Sequence, residues 1–77
     1  MMPLGLMDEG VDLQILKINE KGQSMAFLER LGFVSGSKIK IIQKINGNII
    51  VNIKDTRIAI NEDIAKKIIV KEIVWKH

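Results

Sequence analysis

The chain has 77 residues, twelve Lys and Arg against nine Asp and Glu for a net charge of +3, and 47% apolar but only 4% aromatic residues. It contains no cysteine, and its single histidine is the last residue, so neither disulfides nor the usual thiolate and imidazole ligands are at hand to staple a small fold. These features point to one small domain over 1–77 with an aliphatic core. With no membrane-length apolar run and no secretory leader, it is expected to be soluble and cytoplasmic.

Along the chain, Val11, Leu13 and Ile15 alternate before the pattern slips by one to Leu16 and Ile18, which predicts a first strand carrying a bulge. The run "SMAFLERL" then reads as a short helix. Ser24 is its expected N-cap, Met25, Leu28 and Leu31 lie along one face, and Phe27 stands four residues before Leu31. Gly32, directly after the last periodic residue, is expected to end the helix in the left-handed conformation, with Phe33 folding back onto Leu28. Ser35 and Gly36 mark a tight turn. From Ser37 the run "SKIKIIQK" alternates as a second strand, "INGN" signals a hairpin and "IIVNI" returns as a third. A turn is placed at Asp55 and Thr56, and "RIAI" forms a short fourth strand. "NEDIAKK" reads as one helical turn with Asn61 as N-cap and Glu62 and Asp63 at its positive end. "IIVKEIV" closes as a fifth strand, with residues 71–77 as a tail free to fray. The expected fold is all-β with one short helix and one helical turn, a small SH3-like five-stranded antiparallel barrel, and an OB-type barrel is the competing arrangement.

The hairpin holds a conflict. A two-residue Asn46-Gly47 turn would set Ile41 opposite Asn52 and Lys40 opposite Ile53, mixing apolar and polar on both faces. Either a three-residue turn, Asn46 to Asn48, or a bulge at Ile41 and Ile42 repairs it and directs Ile39, Ile41, Val51 and Ile53 inward, with Lys38 and Lys40 outward. Ile50 points outward under both. Beside Ile42, Lys44 and Lys40 it would form a small apolar patch rimmed by positive charge, of the kind that docks an acidic partner, although single exposed apolar residues are common on any surface.

Catalytic chemistry is sparse: there is no thiol, no tyrosine and no Walker-type phosphate loop. Asp8, Glu9 and Asp12 could hold a hard cation but are too few to wrap one, and no metal site is expected. Lys38, Lys40 and Lys44, read as one strand face, could meet phosphates, yet single-strand binders add aromatic stacking platforms that Phe27, Phe33 and Trp75 hardly supply. No nucleic-acid partner is expected.

The stretches "MPLGLMDEG" and "LQILKI", the helix with its sequel "FLERLGFVSGSKIKI" and the closing "IAINEDIAKKIIV" resemble the FeoA family over residues 2–70. Leu31, Gly32, Phe33, Val34 and Gly36 stand at that family's "LGL-x-PG", and Ala65, Ile68 and Val70 at its "A-x-x-I-x-V" ending. Ser35 replaces the frequent proline of "PG", Asp8 stands where proline is common, and the hairpin at Asn46 is short. The resemblance implies an SH3-like accessory protein of ferrous iron uptake, without catalysis, cofactor or metal of its own. It also implies that the chain binds the cytoplasmic GTPase region of the FeoB transporter and meets the inner face of the membrane only through that partner, with self-association left open. The other classes are a nucleic-acid-binding barrel and a metal-sensing barrel akin to the C-terminal domain of metal-dependent repressors.

Overall fold

A computed structural model describes residues 1–74. Six strands form one antiparallel sheet in the order β1-β6-β2-β3-β4-β5: β1 (Met2–Pro3), β2 (Asp12–Ile18), β3 (Lys38–Ile45), β4 (Asn48–Ile53), β5 (Thr56–Asn61) and β6 (Ile68–Glu72). Helix α1 (Gly22–Leu31) joins β2 to β3, α2 (Glu62–Lys67) joins β5 to β6, and a single 3-10 turn spans Leu4–Leu6. The strand beyond the expected five is β1, whose two residues pair with Val70 and Ile69. A strand that short carries no periodicity to read, and it matters because it leads into Leu4, which is fully buried.

Both bulges lie where the pattern slips. Opposite β6 the register of β2 shifts between Ile15 and Lys17, leaving Leu16 as the extra residue. In the β3–β4 hairpin Asn46 and Gly47 form a two-residue turn with φ of 48° and 81°, both left-handed, and the register shifts between Ile41 and Gln43. The bulge, not the three-residue turn, reconciles the hairpin. Ile39 pairs with Ile53 and Ile41 with Val51, and all four are buried in the core with Leu13, Ile15, Phe33, Ile68 and Val70. Each such aliphatic side chain contributes about 1.5–3 kcal/mol by leaving water.

Helix α1 ends as its sequence predicts. Gly32 has φ 105°, its N–H donates to the Glu29 carbonyl at 3.0 Å, and the Phe33 N–H donates to the Leu28 carbonyl at 3.0 Å, the hydrogen-bond pair of a Schellman cap. A side chain at Gly32 is disfavoured by this left-handed conformation, and a Cβ there, 3.1 Å from Lys54 Cδ, would also make the flexible Lys54 side chain give way slightly. The start differs. The helix begins at Gly22, which takes the bend with φ 68°, its N-cap is Lys21 without a side-chain bond, and Ser24 is an exposed residue inside the helix. Phe27 likewise stays exposed, with the Arg30 guanidinium 6.0 Å from its ring centroid, while Met25, Leu28 and Leu31 take the inner face.

Two further expectations shift. The β4–β5 turn is Lys54-Asp55, with φ of 50° and 61°, because Thr56 pairs with Ile53. The tail is tied down beyond residue 71: Lys71 and Glu72 pair with Gln14 and Leu13, and the Ile73 N–H donates to the Asp12 carbonyl at 2.9 Å. Val74 is exposed, and Trp75 to His77 lie outside the described residues. At α2 the Asn61 side chain accepts from the Ile64 N–H at 2.9 Å, with Glu62 and Asp63 in the first turn, as the cap pattern predicts. No helix among the described residues is long and apolar enough to cross a membrane.

The β2–α1 corner is held to α2 by polar bonds. The Asn19 N–H donates to the Lys67 carbonyl at 2.8 Å, and Lys67 Nζ pairs with Glu20 Oε2 at 3.0 Å. That Lys67 bond, with the Lys21 N–H, holds the Glu20 carboxyl below its ordinary pKa. A carboxyl lowered in the folded state contributes stability that is fully present above its unfolded pKa and lost as pH falls through the folded one. Acidifying from about pH 6 to about pH 3 should therefore lower the Tm of the wild type more than that of Glu20→Gln. Equal declines would show that the pair adds nothing.

Candidate docking surface

Directly opposed residues in neighbouring strands share a face, so the ladder fixes what the outside of the sheet presents. One row runs Asp12, Lys40, Asn52, Arg57 across β2, β3, β4 and β5. The next runs from the bulge, where Ile42 and Gln43 together oppose one residue, through Ile50 to Ala59. On the other side of the first row lie Lys71, Gln14 and Lys38. The outer face thus carries a basic band beside a strip of half-buried and exposed apolar groups.

At the basic end the surface dips into a depression of about 510 Å³ lined by Lys38, Lys40, Asn52, Lys54, Asp55 and Ile73, among others. Lys40 Nζ pairs with Asp12 Oδ1 at 3.1 Å, both about half exposed, so the pair contributes little to stability. Asn52 Oδ1 is shut from solvent and has no hydrogen-bond partner. An orphaned acceptor of this kind costs about 1–3 kcal/mol.

Of the residues singled out in the sequence, Ile50, Ile42 and Lys40 come together on this face, and Lys44 does not. The bulge at Ile42 inverts the alternation beyond it, so Lys44 pairs with the buried Ile49 on the opposite side of the strand. There its Nζ donates to the Gly5 carbonyl at 3.1 Å and its N–H to Glu9 Oε2 at 2.9 Å. The lysines of β3 are therefore split between two faces rather than aligned. Sequence reading missed Asn52, Arg57 and Ala59 as members of the surface; their period-two positions opposite Lys40 and Ile50 are the signal that a known register would have released.

The other named residues build the fold. Gly32 caps α1 and Phe33 is fully buried; Leu31 and Val34 are half-buried beside them. Gly36, with φ 91°, completes a turn closed by the Ser37 N–H on the Val34 carbonyl at 3.1 Å. Its own N–H reaches the Ile15 carbonyl at 2.7 Å, so the turn extends the β2–β3 pairing. Ala65 is fully buried, and the 3-10 turn packs against it, with a Cβ built at Gly5 lying 3.7 Å from the Ala65 Cβ.

The acidic cluster is dispersed: Glu9 takes the Lys44 N–H, Asp12 pairs with Lys40, and Asp8 is exposed. Among the described residues no group of three or more His, Cys, Asp or Glu is placed to hold a metal. Titration calorimetry with Zn²⁺ or, anaerobically, Fe²⁺ should give no single-site isotherm tighter than about micromolar, roughly 8 kcal/mol. A tighter one would assign ligands to the chain that the described geometry does not gather.

A six-stranded antiparallel sheet curled on an aliphatic core defines a small SH3-like barrel. The FeoA domain family model matches residues 2–72, and the chain belongs to the FeoA family. A relative in Methanocaldococcus jannaschii, named "Putative Fe(2+) transport protein A", is 36% identical over 72 residues, covering 94% of this chain and 88% of its own. The solution structure of iron(II) transport protein A from Clostridium thermocellum superposes with a TM-score of 0.87 at 27% identity, over 94% of this chain and 46% of that one. Stenotrophomonas maltophilia FeoA, complexed with zinc and described as a procaryotic SH3 domain protein, has the same fold with a TM-score of 0.79 at 21% identity, over 92% and 91% of the two chains. The SH3-like arrangement, not the OB-type one, is the architecture.

Proposed function

We propose that this protein is a non-catalytic accessory factor of ferrous iron uptake that acts in the cytoplasm by binding the GTPase region of the FeoB transporter. The observation that carries the reading is the FeoA domain match over residues 2–72, together with relatives named as Fe(2+) or iron(II) transport proteins. The outer sheet face is the surface offered to the transporter. Ile42, Ile50 and Ala59 supply the apolar centre, and Lys38, Lys40 and Arg57 a positive margin for an acidic partner surface. A nucleic-acid role has less support, because the exposed Phe27 belongs to α1 and the lysine-bearing strands present no aromatic for bases to stack on.

Affinity capture tests the reading directly. A tagged chain, expressed in cells that carry FeoB and extracted with mild detergent, should retain FeoB, and the retention should weaken as salt is raised, because the margin is charged. Failure to retain FeoB at low salt would contradict it.

A further inference from the structure

We propose that the free edge of β5 is a self-pairing surface, on which a second copy of this chain lays its own β5 antiparallel about a two-fold axis through Ala59. The two edges of the sheet are not treated alike. At one end, β1 has only two residues and one of them is Pro3, which has no N–H to offer a neighbouring strand. At the other end, β5 has six residues, bonds only β4, and contains neither proline nor lysine. A strand of that length with one row of backbone groups unpaired is an open template.

The sequence of the strand says which occupant fits. With Ala59 opposite its own copy, Ile58 meets Ile60 on the core side and Arg57 meets Asn61 on the outer side, at both ends of the pair. Apolar is set against apolar and polar against polar, no like charges oppose, and the smallest side chain stands on the axis. Sliding to the register centred on Ile58 would instead put Thr56 against Ile60 and Arg57 against Ala59, losing both matches. Arg57 has no ion pair among the described residues to release, and Ile58, half-buried on the monomer, gains a neighbouring apolar side chain from the second copy. A strand of unrelated sequence could use the same backbone bonds but would not share this near-palindrome. The inference concerns the chain alone and does not depend on the transporter reading.

The test uses the purified chain. Sedimentation should show a species of twice the 8.7 kDa monomer mass accumulating as concentration rises from about 10 µM to about 1 mM. Ala59 is exposed, so Ala59→Lys and Ala59→Glu should keep the wild-type Tm while each weakens self-association at least about tenfold by opposing like charges on the axis. An equimolar mixture of the two variants should associate again. Because the chain has no cysteine, Ala59→Cys gives a clean trap. Opposed residues have Cα atoms about 4.5–5.5 Å apart, within disulfide range, so mild oxidation should link this variant to its copy. Arg57→Cys, four positions or about 13 Å from its own copy in this register, should not link. A wild type still monomeric at about 1 mM, a dimer unaffected by Ala59→Lys, or preferential linking through Arg57→Cys would each overturn the proposal. A monomer whose β5 pairs only with a strand of the transporter would do the same.

Discussion

Replacing Phe33 with alanine is expected to lower stability by about 3–5 kcal/mol and the Tm by more than about 12 °C. A domain of this length has only about 4–12 kcal/mol in total, so a large share of the population should unfold near 37 °C. Phe33 is the one buried aromatic among the described residues, has no exposed surface, and is surrounded by aliphatic side chains. Its place is set twice over, by its N–H bond to the Leu28 carbonyl at 3.0 Å and by the left-handed Gly32 before it. Alanine keeps that backbone bond but empties the core site, and a rigid β framework cannot collapse into the void. Phe27→Ala is the matched control, because that ring is 52% exposed and its loss should stay within about 0.5 kcal/mol. Urea denaturation of both variants measures the contrast. A Phe33→Ala protein as stable as Phe27→Ala would mean that the core is assigned wrongly.

The same residue shows why much of this fold is legible in the sequence. A helix stop needs a left-handed residue, and Gly32 followed by an apolar residue announces it within a few positions of chain. The bulges are legible too, because a half-buried strand cannot change alternation without an extra residue, and Leu16 and Ile42 stand at the slips. Less legible were features with little local signal. Strand β1 is two residues long, and the β4–β5 turn falls at Lys54-Asp55, two non-glycine left-handed residues, rather than at Asp55-Thr56, where the sequence places it. The outer face proposed for docking was half visible. Ile50 could be placed outward from the hairpin alone, but Lys44 changes sides once the choice between turn and bulge is made, and Arg57 and Ala59 join only when β5 is registered against β4. The transporter as partner is not written in any of these residues; it is proposed on the ground of family membership.

Ile50→Glu is expected to separate docking from folding. The side chain points outward between the bulge and Ala59, half-buried, with Ile49 and Val51 on either side of it in the core. A glutamate there can reach water, so the Tm should move by only a few degrees, the size of a strand-propensity change below about 1 kcal/mol. On the complex the effect is larger. A charge at the apolar centre must be desolvated without a partner, and placed against an acidic surface it is also repelled, so FeoB binding should weaken by at least about 1–2 kcal/mol, roughly five- to thirtyfold. Lys44→Ala, which alters the opposite side of the hairpin, should leave binding unchanged. A folded Ile50→Glu protein that binds as well as wild type would remove this face from the account, and an unfolded one would show that Ile50 belongs to the core.

The most direct measurement is a nuclear magnetic resonance titration of the isotopically labelled chain with the purified cytoplasmic GTPase region of FeoB. Binding through the outer sheet face predicts amide shifts or broadening confined to Lys40, Ile42, Ile50, Asn52, Arg57, Ala59 and their neighbours, with the exposed surface of α1 and the 3-10 turn at Leu4–Leu6 unperturbed. Spectra that do not change at concentrations up to about 1 mM would contradict the partner, and changes centred on α1 or on the Lys44 side of the hairpin would contradict the face.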